Sequence, residues 1–490
     1  MKRLWIALLC LALCAPWTAG LSEEAQAEGG SGDFSYELMG DGAARITGYS
    51  GEGGALEIPA ELDGYPVTVI GREAFYQCAG LTSATIPAGV ERIEASAFYG
   101  CEALASVELP AGLKGIDEYA FYECSSLAAI ALPEGLETIG ADAFDDCDSL
   151  ASVVFPASLK RIEASTFYSC DALASVEWPA GLTAIDELAF AYCHSLTELA
   201  LPEGLTFLGV NAFADCGNLT SVALPDSLSD IGGNPFSGCV SLEEIAVSPE
   251  HPALEILDGA LVSRADRRLI CAPEAFAAEA YTVPGGVEII GAAAFETCWN
   301  LASVTLPDGL KTIEESAFAN DIRLADIDLP DGLTGIGKMA FYYCSSLESM
   351  ALPDSLEELG DWAFANCGGL TEMKIPAGVK RVGIGAFKNC ESLASVELSN
   401  GVEMIDVDAF SNCRALTGVV IPDGVTRIRT WAFKNCESMV SATIPDSVTE
   451  MEDEIFDGCP DLTVVASQGS AAQIYCAENG IRCEAPDAEG

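Results

Sequence analysis

PAGLKGIDEYAFYECSSLAAIALP, residues 110–133, decides the fold. Its apolar positions are Leu113, Ile116, Ala120, Phe121, Cys124, Leu127, Ile130 and Leu132, separated by 3, 4, 1, 3, 3, 3 and 2 residues. Neither a sustained helical period nor long strict alternation fits that series. One short strand fits, around Ile130 to Leu132, and the remainder is turns and irregular coil. Pro133 opens the next unit and is followed two residues on by Gly135; Pro156 and Ser158 repeat the pattern. Proline presets φ and glycine tolerates tight-turn conformations, so the chain bends once per unit at this point.

The unit recurs without a slip. Phe75, Phe98, Phe121, Phe144, Phe167, Phe190, Phe213 and Phe236 lie 23 residues apart. After a break, Phe295, Phe318, Phe341, Phe364, Phe387, Phe410, Phe433 and Phe456 do the same. A repeat of this length marks stacked supersecondary units rather than separate globular domains. A single coil cannot bury Phe121, Leu127, Ile130 and Leu132 alone, whereas stacked coils bury them as ladders. The spacing therefore predicts a right-handed, β-solenoid-like array with one short parallel strand per 23-residue coil. At about 4.8 Å per parallel strand the array would span roughly 80 Å.

The segment Cys101-Leu104-Val107-Leu109-Pro110-Leu113-Ile116-Ala120-Phe121 matches C-x-x-L-x-x-V-x-L-P-x-x-L-x-x-I-x-x-x-A-F position by position. It resembles the BspA-like, or Treponema pallidum-type, leucine-rich repeat, and the resemblance runs from about Phe34 to Cys483. It implies a leucine-rich-repeat fold and a secreted or cell-surface protein. Some members are adhesins for host extracellular proteins. No family-wide binding motif exists to transfer.

Several boundaries follow. Residues 1–27 read as a cleavable signal peptide: Lys2 and Arg3, an apolar run from Leu4 to Ala15, then Ala25-Gln26-Ala27, with cleavage expected after Ala27. Cys14 follows Leu13, which is not the small residue that lipidation requires. Residues 34–69 resemble the family's N-terminal cap. The first run occupies 70–247, an expanded unit 248–284, and the second run 285–465. Residues 466–483 form a C-terminal cap with Ala471, Ile474 and Ile481 as expected core, and 484–490 an acidic tail. Phe236 to Phe295 is 59 residues, two periods plus 13. Inside it, Leu261-Val262-Ser263 and Leu269-Ile270-Cys271 flank Arg264, Arg267 and Arg268, which reads as a hairpin with a basic tip.

The formal charge is −52, from 23 Lys and Arg against 75 Asp and Glu, and it is spread along the repeats. Such a surface repels phosphate backbones, so nucleic acid is excluded as a partner. No segment of the mature chain reads as membrane-spanning.

Most of the 20 cysteines follow Phe by three residues, as Cys101 follows Phe98. Stacking turns them into an interior column. Side chains in an in-register ladder point the same way, which opposes the disulfide dihedral, so reduced, packed thiols are expected. Cys476 and Cys483, seven residues apart in the C-terminal cap, are the pair whose setting admits a disulfide. Asp321 takes the column position in one unit. An unpartnered buried carboxylate is costly, so Asp321 is expected to reach solvent or a backbone donor through an altered turn involving Asn320.

No chemistry-bearing constellation emerges. His194 and His251 are the two histidines, and His194 sits at a variable position that reads as exposed despite its neighbour Ser195. No C-x-x-C pair, phosphate loop or EF-hand loop occurs, so no enzyme activity, cofactor or metal is expected. The strand positions that face outward carry small and acidic residues such as Ser106, Glu108, Ser175 and Glu177. Aromatic residues instead follow the repeated Phe: Tyr76, Tyr99, Tyr122, Tyr168 and Tyr342. Tyrosine at a part-exposed edge anchors protein or sugar partners, or else covers the coil. These tyrosines and the three arginines are the candidate binding surface. The expected function is binding of an extracellular protein or glycan, in adhesion to host or neighbouring cells. The alternative is a structural surface-array or spacer protein without a specific ligand.

Overall fold

The computed structural model describes residues 28–486, within which each 23-residue unit is one coil of a solenoid. The leader expected at residues 1–27, with Cys14, lies outside the described residues. Strand Ser106–Glu108 pairs in parallel with Leu81–Thr85 before it and Ala129–Ile130 after it. Val107 faces inward while Ser106 and Glu108 face solvent, as period-two alternation requires.

Each coil also supplies a second strand beyond the one expected. Gly115–Ile116 pairs in parallel with Arg92–Ile93 and Thr138–Ile139, forming a separate sheet. Two residues are too few to leave a periodic signal in sequence. The third edge is the Phe-bearing turn. It has no strand, yet Phe98 N–H donates to Ala120 O at 2.8 Å and Gly100 N–H to Tyr122 O at 2.8 Å. Ser96, Tyr119 and Glu123 hold left-handed backbone there, with φ of 56°, 57° and 56°. That conformation costs a non-glycine residue about 1–2 kcal/mol, and the inter-coil bonds hold it.

The Phe side chains stack along the interior. Phe98–Phe121 centroids are 5.1 Å apart and Phe121–Phe144 5.3 Å, with rings parallel within 4°. Each ring is fully buried, worth about 2–3 kcal/mol apiece, a gain available only when neighbouring coils are present.

Both ends of the column are closed. Tyr49 lies 5.3 Å and Phe34 6.5 Å from the Phe75 ring. They come from an antiparallel set of strands Glu28–Ser31, Phe34–Leu38 and Ala44–Tyr49, the last of which runs parallel to Tyr65–Ile70. At the far end the helix Ala471–Asn479 starts at Ser470, whose Oγ accepts from Gln473 N–H, and stops at Gly480 with φ 69°. Strand Arg482–Glu484 then covers Thr463–Val465, removing an exposed sheet edge. Tyr475 packs on Phe456 at 6.3 Å and its hydroxyl accepts from Ile455 N–H at 2.8 Å. The helix is phased differently from the expected core of Ala471, Ile474 and Ile481. Ala472, Tyr475 and Cys476 are buried and Ile474 is exposed, because Tyr475 is the group that reaches the Phe column.

Between the runs, strands Leu254–Leu257, Ala260–Ser263 and Arg268–Cys271 form an antiparallel hairpin set. Arg268–Cys271 then pairs in parallel with Ile289–Ile290 and starts the second run. The Phe-turn edge continues past this unit: Asn211 N–H donates to Asn234 O, and Asn234 N–H to Ala292 O, both at 2.9 Å. Pro235 stands where other coils place Ala before Phe, and proline disfavours helical backbone in the residue before it. The ladder is rebuilt by the fully buried Asn234 side chain. Its Oδ1 accepts from Phe236 N–H at 2.9 Å, while Nδ2 donates to Ala293 O at 3.1 Å and Ala294 O at 3.4 Å. His251, 2 % exposed, ties the expanded unit to the last regular coil. Its Nδ1 accepts from Ala253 N–H at 3.2 Å and Leu254 N–H at 3.0 Å, so Nε2 carries the proton and donates to Pro225 O at 3.0 Å.

Candidate binding surface

The Phe-turn edge carries the tyrosines. Tyr76, Tyr99 and Tyr122 sit on successive coils, and their rings stack at 5.0 and 4.7 Å. Tyr119 packs edge-on against Tyr122 at 5.8 Å. Tyr76 and Tyr119 are 45 % and 38 % exposed, so the stack is an open aromatic strip beside a core that is already filled by Phe. Burial, with the Asp145 and Asp146 charges next, pushes the Tyr122 hydroxyl well above its ordinary range. Tyr168 lies two coils beyond Tyr122 and packs on Tyr192 at 5.1 Å. Tyr342 is in the second run beside Tyr343, at 4.8 Å. The structure thus joins three of the five tyrosines directly, sets Tyr168 just past them, and leaves Tyr342 apart.

The position between Tyr122 and Tyr168 is Asp145. It is 7 % exposed, and its Oδ1 has no hydrogen-bond partner. Burial, with the Asp146 and Asp142 charges next, pushes its carboxyl up to about 9.

The basic hairpin tip is internally neutralised. Arg264 pairs with Glu255 at 2.8 Å, and Arg267 pairs with the same carboxylate. Arg268 bridges Asp266 at 3.0 Å and Glu314 at 2.9 Å. Arg264 Nε also donates to Leu254 O at 2.8 Å and Arg267 Nε to Gly286 O at 3.0 Å. These side chains bind the expanded unit to its flanks.

Two features escaped the sequence. Val240, Trp299 and Ile322, each one residue past the thiol column, are 53 %, 52 % and 49 % exposed and mark three successive positions across the junction. Trp299 and Ile322 are one period apart, and the stacking of the Asn234 turn on Ala292 sets the Val240 coil against that of Trp299. Asn366, Asn389, Asn412 and Asn435 form a side-chain ladder, each amide donating to the preceding carbonyl oxygen at 2.7–2.8 Å. Their recurrence at one repeat position was visible, but its use to hold left-handed turns was not.

The described cysteines are free thiols. The column thiols also act as donors: Cys101 Sγ–H reaches Phe75 O at 3.1 Å and Cys124 reaches Phe98 O at 3.3 Å, a pattern repeated to Cys459 and Phe433. Burial raises Cys124, Cys147 and Cys390 well above the ordinary thiol range, which suppresses the thiolate needed for disulfide exchange. Cys476 and Cys483 are likewise free in the structure. Asp321 corrects an expectation. It is fully buried and neither carboxylate oxygen has a hydrogen-bond partner. Its turn is unaltered, since Asn320 has φ 65° like its counterparts Thr297 and Tyr343 at 63° and 60°. Burial holds its carboxyl well above the usual range.

Catalytic geometry does not assemble around the histidines. Ser195 Oγ donates to Asp171 O at 2.7 Å and His194 is exposed. Among the described residues no group of three or more His, Cys, Asp or Glu is placed to hold a metal ion. No described helix is long and apolar enough to cross a membrane.

The repeat geometry defines a leucine-rich-repeat solenoid. The family description "BspA type Leucine rich repeat region (6 copies)" matches residues 68–194, 160–256, 274–394 and 380–476, and the chain belongs to that family. No match was found among curated proteins. A leucine-rich-repeat protein from Eubacterium ventriosum is similar at TM-score 0.50 and 18 % identity, over 87 % of this chain and 93 % of that one. A leucine-rich cell surface protein from Faecalibacterium prausnitzii matches at TM-score 0.46 and 25 % identity, over 94 % of this chain and 99 % of that one. The T. pallidum leucine-rich-repeat protein is 37 % identical, at TM-score 0.37, over 44 % of this chain and 91 % of that one.

Proposed function

We propose that this chain is a secreted or cell-surface binding protein whose repeat array presents the tyrosine edge to an extracellular protein or glycan, in adhesion to a host or neighbouring cell. The observation that carries the reading is the stack Tyr76–Tyr99–Tyr122, exposed at Tyr76 and half-buried at Tyr99 and Tyr122, with exposed Tyr119 beside it. Part-exposed stacked rings lie outside a core that Phe already fills, and rigid aromatic area is what binding interfaces concentrate. Family membership and the signal-peptide pattern of residues 1–27 support export. The mature chain and a Tyr76→Ala, Tyr99→Ala, Tyr122→Ala variant should be compared on arrays of purified extracellular proteins and glycans. The expected result is a ligand bound by the wild type and lost by the variant while its circular dichroism spectrum at the assay temperature is unchanged. Equal binding by both, or a ligand-free wild type, would favour the spacer reading.

A further inference from the structure

The tyrosine column has one missing rung. Tyr122 and Tyr168 occupy the same repeat position two coils apart, and Asp145 takes the place between them. Rings on adjacent coils stack at 4.7–5.0 Å in this column, so the omitted rung leaves about 10 Å between flanking ring positions. In the free protein that interval is covered, since Asp145 is 7 % exposed, and a planar group stacked on both sides would enter it by moving the rings. Asp145 lies at its base with Oδ1 unpartnered, and Asp146 and Glu123 add negative charge. The ion pairs of the neighbouring coils do not serve it: Arg72 is spent on Glu73 and Glu118, Arg92 on Asp117, and Arg161 on Glu163 and Asp186.

The second run shows the same edge with its cation supplied from within. Lys388, one residue past Phe387, lies 5.2 Å over the Trp362 ring and 2.9 Å from Asp408. Lys434, one residue past Phe433, lies 5.2 Å over Trp431 and pairs with Asp457 at 3.1 Å. There a cation, an aromatic face and a carboxylate complete one another. Around Asp145 the aromatic faces and the carboxylates are in place, and among the described residues no Lys or Arg forms an ion pair with it.

We infer that the Tyr122–Asp145–Tyr168 notch is a recognition site for an arginine side chain of a partner protein, the guanidinium stacking as the missing rung and pairing with Asp145. A guanidinium is planar, stacks on aromatic faces and pairs with carboxylates in a fixed geometry, which an ammonium does not. The net charge of −52 draws basic segments toward the edge. Asp145 is covered in the free protein, so the arriving group parts the flanking rings and supplies the counter-charge that burial denies the carboxyl. The inference deepens the reading of the tyrosine edge as a binding surface and names what that surface recognises.

The test uses the mature chain, with N-acetyl-arginine amide and its uncharged citrulline isostere titrated by calorimetry at a pH of about 9, where the Asp145 carboxyl ionises. The arginine probe should bind at least tenfold tighter than citrulline, and Asp145→Asn should erase that preference. Asp145→Tyr should complete the ring stack, raise the melting temperature and abolish binding, which guards against a misfolded asparagine variant. Arginine binding that is unchanged in both variants reflects general attraction to an acidic chain and overturns the inference, as does equal binding of the two probes to the wild type. Either failure leaves the tyrosine-edge reading standing, because the alanine variants on the ligand arrays test it separately.

Discussion

Replacing Asn234 by Ala should uncouple the two halves of this solenoid. The Asn234 side chain is inserted into the inter-coil ladder at the one place where Pro235 and the expanded unit interrupt it. Removing it leaves Phe236 N–H without its 2.9 Å acceptor and withdraws the donor shared by Ala293 O and Ala294 O. A buried unsatisfied backbone group costs about 1–3 kcal/mol. The carbonyls each retain a second lone pair, so the N–H dominates, and a total of about 2–4 kcal/mol is expected. In a quasi-one-dimensional array that loss falls on a single nearest-neighbour interface. Urea unfolding followed by circular dichroism should therefore show the variant melting in two steps, with the wild type steeper. Ser165→Ala, at the equivalent turn position of a regular coil, is the control and should shift the midpoint by less than about 1 kcal/mol. A single transition for Asn234→Ala, with a midpoint matching Ser165→Ala, would refute the view that this amide splices the runs.

Three further outcomes are expected. The column thiols should resist alkylation in the native protein and react fully in denaturant without reductant; persistent protection after denaturation would mean disulfides. Asp321→Asn should stabilise the fold, as should Asp321→Cys, by about 1–2 kcal/mol near neutral pH. Because the folded carboxyl titrates above its ordinary 3.8, wild-type stability is highest below that value and falls as pH rises, so the variants' advantage should widen from about pH 4 upward; a constant advantage would disprove the linkage. His251→Ala should cost about 2–3 kcal/mol through two unmet amides and one unmet carbonyl, read as a lower thermal midpoint, and an unchanged midpoint would show that the expanded unit is held elsewhere.

The architecture was legible because a ladder demands sameness. A residue that must sit on its own copy above and below, such as Phe121 or Cys124, repeats in sequence with the period of the coil. What was illegible has the opposite character. Gly115–Ile116 pairs through backbone atoms over two residues and leaves no alternation to detect. The arginine tip reads in sequence as a polar loop or a contact site, and its pairing was hidden because Glu255 and Glu314 lie outside the turn, with only Asp266 inside it. Ile474 was misplaced because hydrophobicity alone cannot phase a nine-residue helix, whereas the ring of Tyr475 can. Asp321 was expected to escape burial, but the turn around it is fixed by backbone bonds to both neighbouring coils and has no freedom to move one side chain outward.

The same physics separates scaffold from function on the outer edge. Stacking forces the buried Phe and Cys positions toward uniformity, while the residue one past Phe ranges from exposed at Tyr76 to buried at Asp145 and Ala191 and changes from coil to coil. It runs Tyr, Tyr, Tyr, Asp, Tyr from residue 76 to residue 168, and Lys at 388 and 434. A spacer gains nothing from a carboxylate buried between tyrosines, since Asp145 costs desolvation that a fifth tyrosine in the stack would not. Its presence between two coils that carry Tyr at the same position does not follow from stability. It follows directly if the rung is completed by a charged group from another molecule, as Lys388 and Lys434 complete theirs within the chain.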